Sequence, residues 1–372
     1  MEDARISRES GLSRRDRAFA AAGFLAALAI RLVFVFSAKT NYDMASWRIV
    51  LDIIHRGGNI YQETQRYNYS PLWAGVLLGL SHVASVLGIT LERAILLFHL
   101  GVDGVSAALI AQIGRQRGLS AARARWGSLL FFANPLSVIV SNDRGMFDGF
   151  SILFLLGAIL SVERKPTREP PVALWLAGSL LAKHITWFHP LLFSWRRRAP
   201  RISWIAALSA YLIFLASFLP FWRSWEAIRM FVFGYRGLDE PYGTEPLRAV
   251  SWLPHETTTI LFVLAALAAV GMLRRVEIGR ACLLLFLVIL IFTPGICPYY
   301  FVWPVALGAL SPSLGFGVYT VVLTAFFIHS PDVLAQEIPH LPGWWGAWWA
   351  VVFWLLWEIR SWRGTAAKER AA

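Results

Sequence analysis

Apolar runs separated by short polar loops recur along the whole chain. A bilayer-crossing helix takes about 20 mostly apolar residues, and the first such run is Ala18–Phe36. Further runs cover Arg93–Ile113, Trp126–Val140, Phe150–Ser161, Pro171–Ala182, Leu191–Trp195 and Ile202–Pro220, then Thr257–Leu273, Ala281–Phe292, Val302–Leu310, Leu314–Ile328 and Trp344–Trp357. Leu72–Ile89 is also apolar, but as a simple span it would put the basic loop Arg115–Arg125 on the wrong side, so it is expected to re-enter or lie on the surface. Between the first two runs, Asn41–Trp73 is too polar to span. Its segment Met44–His55 places Met44, Trp47, Ile49, Val50, Ile53 and Ile54 as an amphipathic surface helix. The pattern predicts an all-α polytopic membrane protein of one domain, residues 1–372, with about 11–13 transmembrane or re-entrant helices and juxtamembrane helices on the outer face.

Composition narrows the class further. The chain is 57% hydrophobic and 16% charged, with a mean hydropathy of +0.54. A soluble domain carries about a quarter charged residues, so a soluble protein is excluded. The net charge of +12 comes from arginines in the connecting loops, the signature of cytoplasmic loops, and calls for no nucleic acid. Arginines before Ala18 put the N-terminus in the cytoplasm, and the lack of a small-residue cleavage site makes the first helix an uncleaved one. Eighteen tryptophans suit interfacial belts, with Trp344, Trp345, Trp348 and Trp349 as anchors. Cys282 and Cys297 form neither a metal spacing nor a disulfide framework and read as packing residues, as do His82 and His189 in their apolar contexts.

This topology sorts the polar residues. Arg-rich connectors fall on the cytoplasmic side. The outer side receives Asp43, Arg66, the turn Asn142-Asp143-Arg144 with Asp148, Lys183-His184 at the tip of a hairpin, Tyr299-Tyr300, and the long loop Phe221–His255 with Arg223, Arg229 and Arg236. Charges at the membrane edge cost about 2.5–3.5 kcal/mol each on insertion scales, so they usually have a partner or a task. Asp43 is either the N-cap of the helix Met44–His55 or a general base. Asp143, Arg144 and Asp148 form either a salt-bridged turn or part of a site, and Lys183 either snorkels or clamps a phosphate.

The same residues resemble a family. Asp43 after the first helix, Gly57, Tyr61 and Tyr67-Asn68-Tyr69-Ser70-Pro71 look like the first outer loop of GT-C membrane glycosyltransferases. SNDRGMFDGFSILFLLGAIL is similar to the turn and following helix of polyprenyl-phosphate-mannose-dependent mannosyltransferases, among them a bacterial group and the eukaryotic enzyme that adds the first mannose to GPI. AGSLLAKHITWFHPLLF, with Lys183 and Pro190, resembles their hairpin, and CPYYFVWPVAL a late segment. The match covers most of Ala18–Trp195 and, weakly, Pro294–Leu310. It departs in two places: no second acid neighbours Asp43, and Met146 stands where the family often has Gln.

The resemblance implies an inverting transferase that moves a sugar, mannose above all, from a polyprenyl-phosphate donor to a glycolipid or glycan acceptor. It would act at the outer face of the bacterial cytoplasmic membrane, among membrane lipids. In that reading Asp43 is the base; Lys183, His184 and Arg144 meet the donor phosphate; and Asp143, Asp148, Arg66, Tyr67, Tyr69 and Tyr300 hold sugar or acceptor. Arg229 and Arg236 would face an anionic acceptor. No resident cofactor or metal ligand is assigned, and a divalent metal stays open. Two other classes compete: a transporter or flippase, and a non-catalytic assembly subunit. Charges gathered on one face, with no repeat of pseudo-symmetric halves, favour chemistry at a surface over passage through the membrane.

Overall fold

The computed structural model describes residues 14–164, 169–196, 202–235, 255–329 and 343–371. These are all-helical, 81% in helices with no strand. Helix α1, Arg14–Phe36, leads to α2, Tyr42–His55, whose first turn is capped by the Asn41 side chain accepting from Met44 N. Helix α3, Pro71–Leu87, starts at a Ser70 cap with proline in its first turn and stops at Gly88 in the left-handed region. Helices α4, Leu91–Gln116, and α5, Ala121–Phe132, follow. Beyond them lie α6, Asp148–Arg164, α7, Glu169–Ala182, the short α8, His189–Ser194, and α9, Trp204–Ala216. The rest comprises α10, His255–Leu273, α11, Ile278–Phe292, α12, Val305–Leu310, α13, Leu314–His329, and α14, Gly343–Ala371.

The bundle has two poles. At one pole Arg48 of α2 pairs with Glu92 at the start of α4, and His99 of α4 bonds the Gly145 carbonyl at 3.0 Å. At the other, Arg117 just past α4 pairs with Glu163 at the end of α6 (2.7 Å) and with Glu277 before α11 (2.6 Å). Eighteen residues of helix separate His99 from Arg117, about 27 Å at 1.5 Å per residue, close to the hydrocarbon thickness of a bilayer, about 30 Å. Helix α6 runs the same way, from Asp148 to Glu163. Helix α7 runs back from Glu169, whose carboxylate accepts from Ser203 N at 3.0 Å, so the chain from Ala182 to Ser203 returns to the basic pole.

Among the described residues two helices, α1 over Ala18–Phe36 and α4, are long and apolar enough to cross a membrane, and a third results if α9 and Leu219–Phe233, bent by 59°, form one span. Helices Pro71–Leu87, Ile278–Phe292, Leu314–His329 and the Thr257–Leu273 part of α10 are apolar but shorter. The predicted run Trp126–Val140 is cut because Asn134 caps a new turn at Pro135, followed by a π turn over Ile139–Asp143. Leu72–Ile89 forms one regular helix, α3, with no irregular backbone inside it. Its start lies beside Leu181, and its end leads directly into the start of α4, so both ends sit at the Asp43 pole. His82 on α3 is exposed, contrary to the packed position expected of it, because it falls on the face turned away from Trp73, Ala74 and Leu77. His189 is buried as expected. Arg236, most of the loop Phe221–His255 and all of the loop Ser330–Gly343 before Gly343 itself lie outside the described residues.

Candidate functional site

Five segments converge at the pole away from Arg117: the start of α2, the loop before α3, the turn before α6, the break after α7, and the segment before α12. The turn comes first because it is the most constrained. Gly145 sits at φ 69°, and a Cβ there would approach Met44 Cε to 2.2 Å; only glycine fits both conditions. The next residue but one, Phe147, stacks on Trp73 with ring centroids 4.0 Å apart. That contact turns Asp148 inward at the first position of α6.

Asp148 is fully buried and Lys183 is 8% exposed. Lys183 Nζ donates to both carboxylate oxygens, at 2.9 and 2.8 Å, and Trp303 Nε1 donates to Oδ1 at 2.6 Å. Lys183 reaches this place because the chain leaves α7 in an extended conformation at that residue (φ −161°, ψ 125°). Three aromatic rings surround its ammonium, Phe147 and Tyr300 at 5.3 Å and Tyr69 at 5.6 Å. Two of the three ammonium N–H groups are engaged with Asp148, and the third is left for a ligand. Trp303→Phe keeps the ring and removes one hydrogen bond to a buried carboxylate. It is expected to lower stability by about 1.5–3 kcal/mol, read as a lower melting temperature in detergent.

Asp43, in the first turn of α2, is half-buried. Its carboxyl is raised from the usual 3.8 to about 6, first by burial, with Lys183 pulling it down and Asp148 pushing it up. It is not the helix cap, since Asn41 holds that position. The Asn41 side chain also donates to the Arg144 carbonyl at 2.7 Å and ties the start of α2 to the turn. Arg144 pairs with Asp143 at 3.2 Å, and Arg66 lies over the ring of Tyr42, 4.5 Å from its centroid.

The structure thus brings Asp43, Asp148, Lys183, Tyr69 and Tyr300 together, with Asp143, Arg144 and Arg66 at the rim. Three expected roles change. Asp148 accepts from Lys183 on both oxygens and from Trp303 on one, so its role in the folded chain is to hold Lys183 in place. Tyr67 is buried, its hydroxyl donating to Ser70 O and accepting from Ala74 N at 2.8 Å, so it fastens the loop to α3 and does not face the site. His184 turns toward Phe214 at 6.3 Å, and burial next to Lys183 lowers it to about 4, so it is neutral near pH 7 and is no phosphate cation. Arg229 is exposed on the bent segment after α9, and Tyr235, just beyond that segment, reaches Asn68 and the surroundings of Asp43.

Beneath the turn lies a network that sequence reasoning missed. Arg31 of α1 is fully buried. Its guanidinium donates to Asp103 of α4 at 2.6 Å, to Ser137 at 2.8 Å, to the Phe132 carbonyl at 2.9 Å and to the Asn142 side chain. Asn142, expected on the outer surface, therefore points inward. The signal was present, since an arginine and an aspartate each stand inside a predicted span, and such charges are stable only when paired. Trp303 carried no comparable signal, because nothing in its local sequence marks a tryptophan whose N–H meets a distant carboxylate.

Among the described residues no group of three His, Cys, Asp or Glu side chains is placed to hold a metal ion.

Comparison of the chain with protein-family models, with curated proteins and with solved structures finds no match.

Proposed function

We propose that this protein is a multi-pass membrane glycosyltransferase of GT-C type, which moves a sugar, mannose by preference, from a polyprenyl-phosphate donor to a lipid or glycan acceptor. The reaction takes place at the outer face of a bacterial cytoplasmic membrane and inverts the anomeric centre. The observation that carries this reading is Asp43: a half-buried carboxyl near 6, within electrostatic reach of a buried, aromatic-walled lysine. A general base works best with a pKa near the operating pH.

In this reaction Asp43 takes the proton of the acceptor hydroxyl as its oxygen bonds to the anomeric carbon. The bond from that carbon to the phosphate oxygen breaks, and its electron pair stays on the phosphate. The phosphodiester monoanion becomes a monoester with an added negative charge. Lys183, with Arg144 and Arg66 at the rim, meets that added charge, so the interaction is stronger in the transition state than in the ground state. Tyr69 and Tyr300 offer ring faces to the pyranose. Two poles about one bilayer apart, with arginines 115, 117, 123 and 125 at the far one, support a site on the outer side.

The test is transfer by purified protein in lipid nanodiscs supplied with polyprenyl-phosphate-mannose and a membrane lipid extract. The expected result is a new mannosylated product, whose mass identifies the acceptor, together with release of polyprenyl phosphate. Movement of the donor across the bilayer with no covalent product would replace this reading with a flippase.

A further inference from the structure

At the pole opposite Asp43 the helices line an open cavity of about 610 Å³, between α5, the loop before α13, the start of α11 and α14. Its polar end carries Arg117, Arg123 and Arg280 against Glu277 and Glu358. Arg117 pairs with Glu163 and Glu277 and Arg280 with Glu358, while Arg123 makes no ion pair with another described residue. Arg280 Nε is buried there with no acceptor. A buried donor without a partner is unfavourable, and an anion entering the cavity would supply the acceptor.

The other end of the cavity is of opposite character. Trp126 and Leu130, one turn apart on α5, line it and are 43% and 41% exposed. A soluble anion has no use for an exposed tryptophan and leucine beside its site. An acyl chain does, and a tryptophan at headgroup level is the usual neighbour of a phosphate.

We infer that this cavity binds one anionic phospholipid, its phosphate between Arg123 and Arg280 and its acyl chains along Trp126 and Leu130. The site is distant from Asp43 and stands whether or not the protein transfers sugars.

The test is native mass spectrometry of the full-length protein released from detergent, titrated with phosphatidylglycerol, with phosphatidylcholine of the same acyl chains, and separately with inorganic phosphate. One retained phosphatidylglycerol is expected, in preference to phosphatidylcholine. Arg123→Gln is expected to weaken retention about fivefold, the effect of one basic residue at an anionic lipid surface. Trp126→Ala is expected to weaken it as well, and Arg125→Gln, exposed and outside the cavity, to leave it unchanged. Arg123 is exposed, and an unchanged melting temperature for its variant separates lost binding from lost folding. Equal retention of the two lipids, undiminished retention by Arg123→Gln, or binding of inorganic phosphate that displaces phosphatidylglycerol would each overturn the inference.

Discussion

Asp43→Asn is expected to abolish transfer while making the folded protein more stable at neutral pH. The two effects have one cause. The fold raises the Asp43 carboxyl from 3.8 to about 6, so the charged form is less favourable in the folded chain than in the unfolded one. Below about pH 4 the group is protonated in both states and contributes nothing. Between 4 and 6 the unfolded chain ionises first, and stability falls as pH rises. Above 6 the penalty is complete, on the order of 1–3 kcal/mol after allowance for solvent screening. Asparagine removes that penalty together with the base. The melting temperature of the variant should therefore exceed that of wild type at pH 7.5, and the gap should close as pH falls through 6 to 4. Loss of a general base lowers turnover by about 10²–10⁴-fold, and wild-type transfer should rise through a midpoint near pH 6. Unimpaired transfer by Asp43→Asn would remove Asp43 as the base. A lower melting temperature at pH 7.5 would show instead that its charge is stabilising.

Arg31→Met is expected to destabilise the protein more than any other single change considered, although Arg31 touches no substrate. The substitution leaves Asp103 buried without its counter-charge and withdraws donors from Phe132 O, Ser137 and Asn142. Breaking a buried ion pair from one side costs about 3–5 kcal/mol, whereas replacing both partners with apolar residues of similar size is often close to neutral. Arg31→Met with Asp103→Leu should therefore recover much of what Arg31→Met loses. Melting curves in detergent would decide this, and a double variant less stable than the single one would refute it. Transfer should also fall in Arg31→Met, because Asn142 and Ser137 anchor the segment that ends in Gly145, Phe147 and Asp148. The turn would lose the support that aims Asp148 at Lys183.

The apolar pattern by itself determined the all-α class and the places where most helices begin and end. Helix formation is local, and caps such as Asn41, Ser70 and Thr90 stand next to the runs they open. The pattern did not determine which runs cross a membrane, because an apolar run records burial and not the medium: α11 and α12 are apolar, lie inside the protein and are short. The sequence also marked Asp43, Lys183, Arg144 and Tyr300, where charges and aromatic rings interrupt apolar runs. It did not determine which partner each would take. Asp148 and Lys183 are 35 residues apart, Asp148 and Trp303 155, and Arg31 and Asp103 72. Only the packing of α1, α4, α6 and α7 with the segment before α12 brings these groups within hydrogen-bond distance. Tertiary structure alone therefore made Asp148 the holder of Lys183, took Tyr67 and His184 away from the site, and raised Asp43 toward the range of a base, because desolvation and charge proximity belong to the folded arrangement and not to the local sequence.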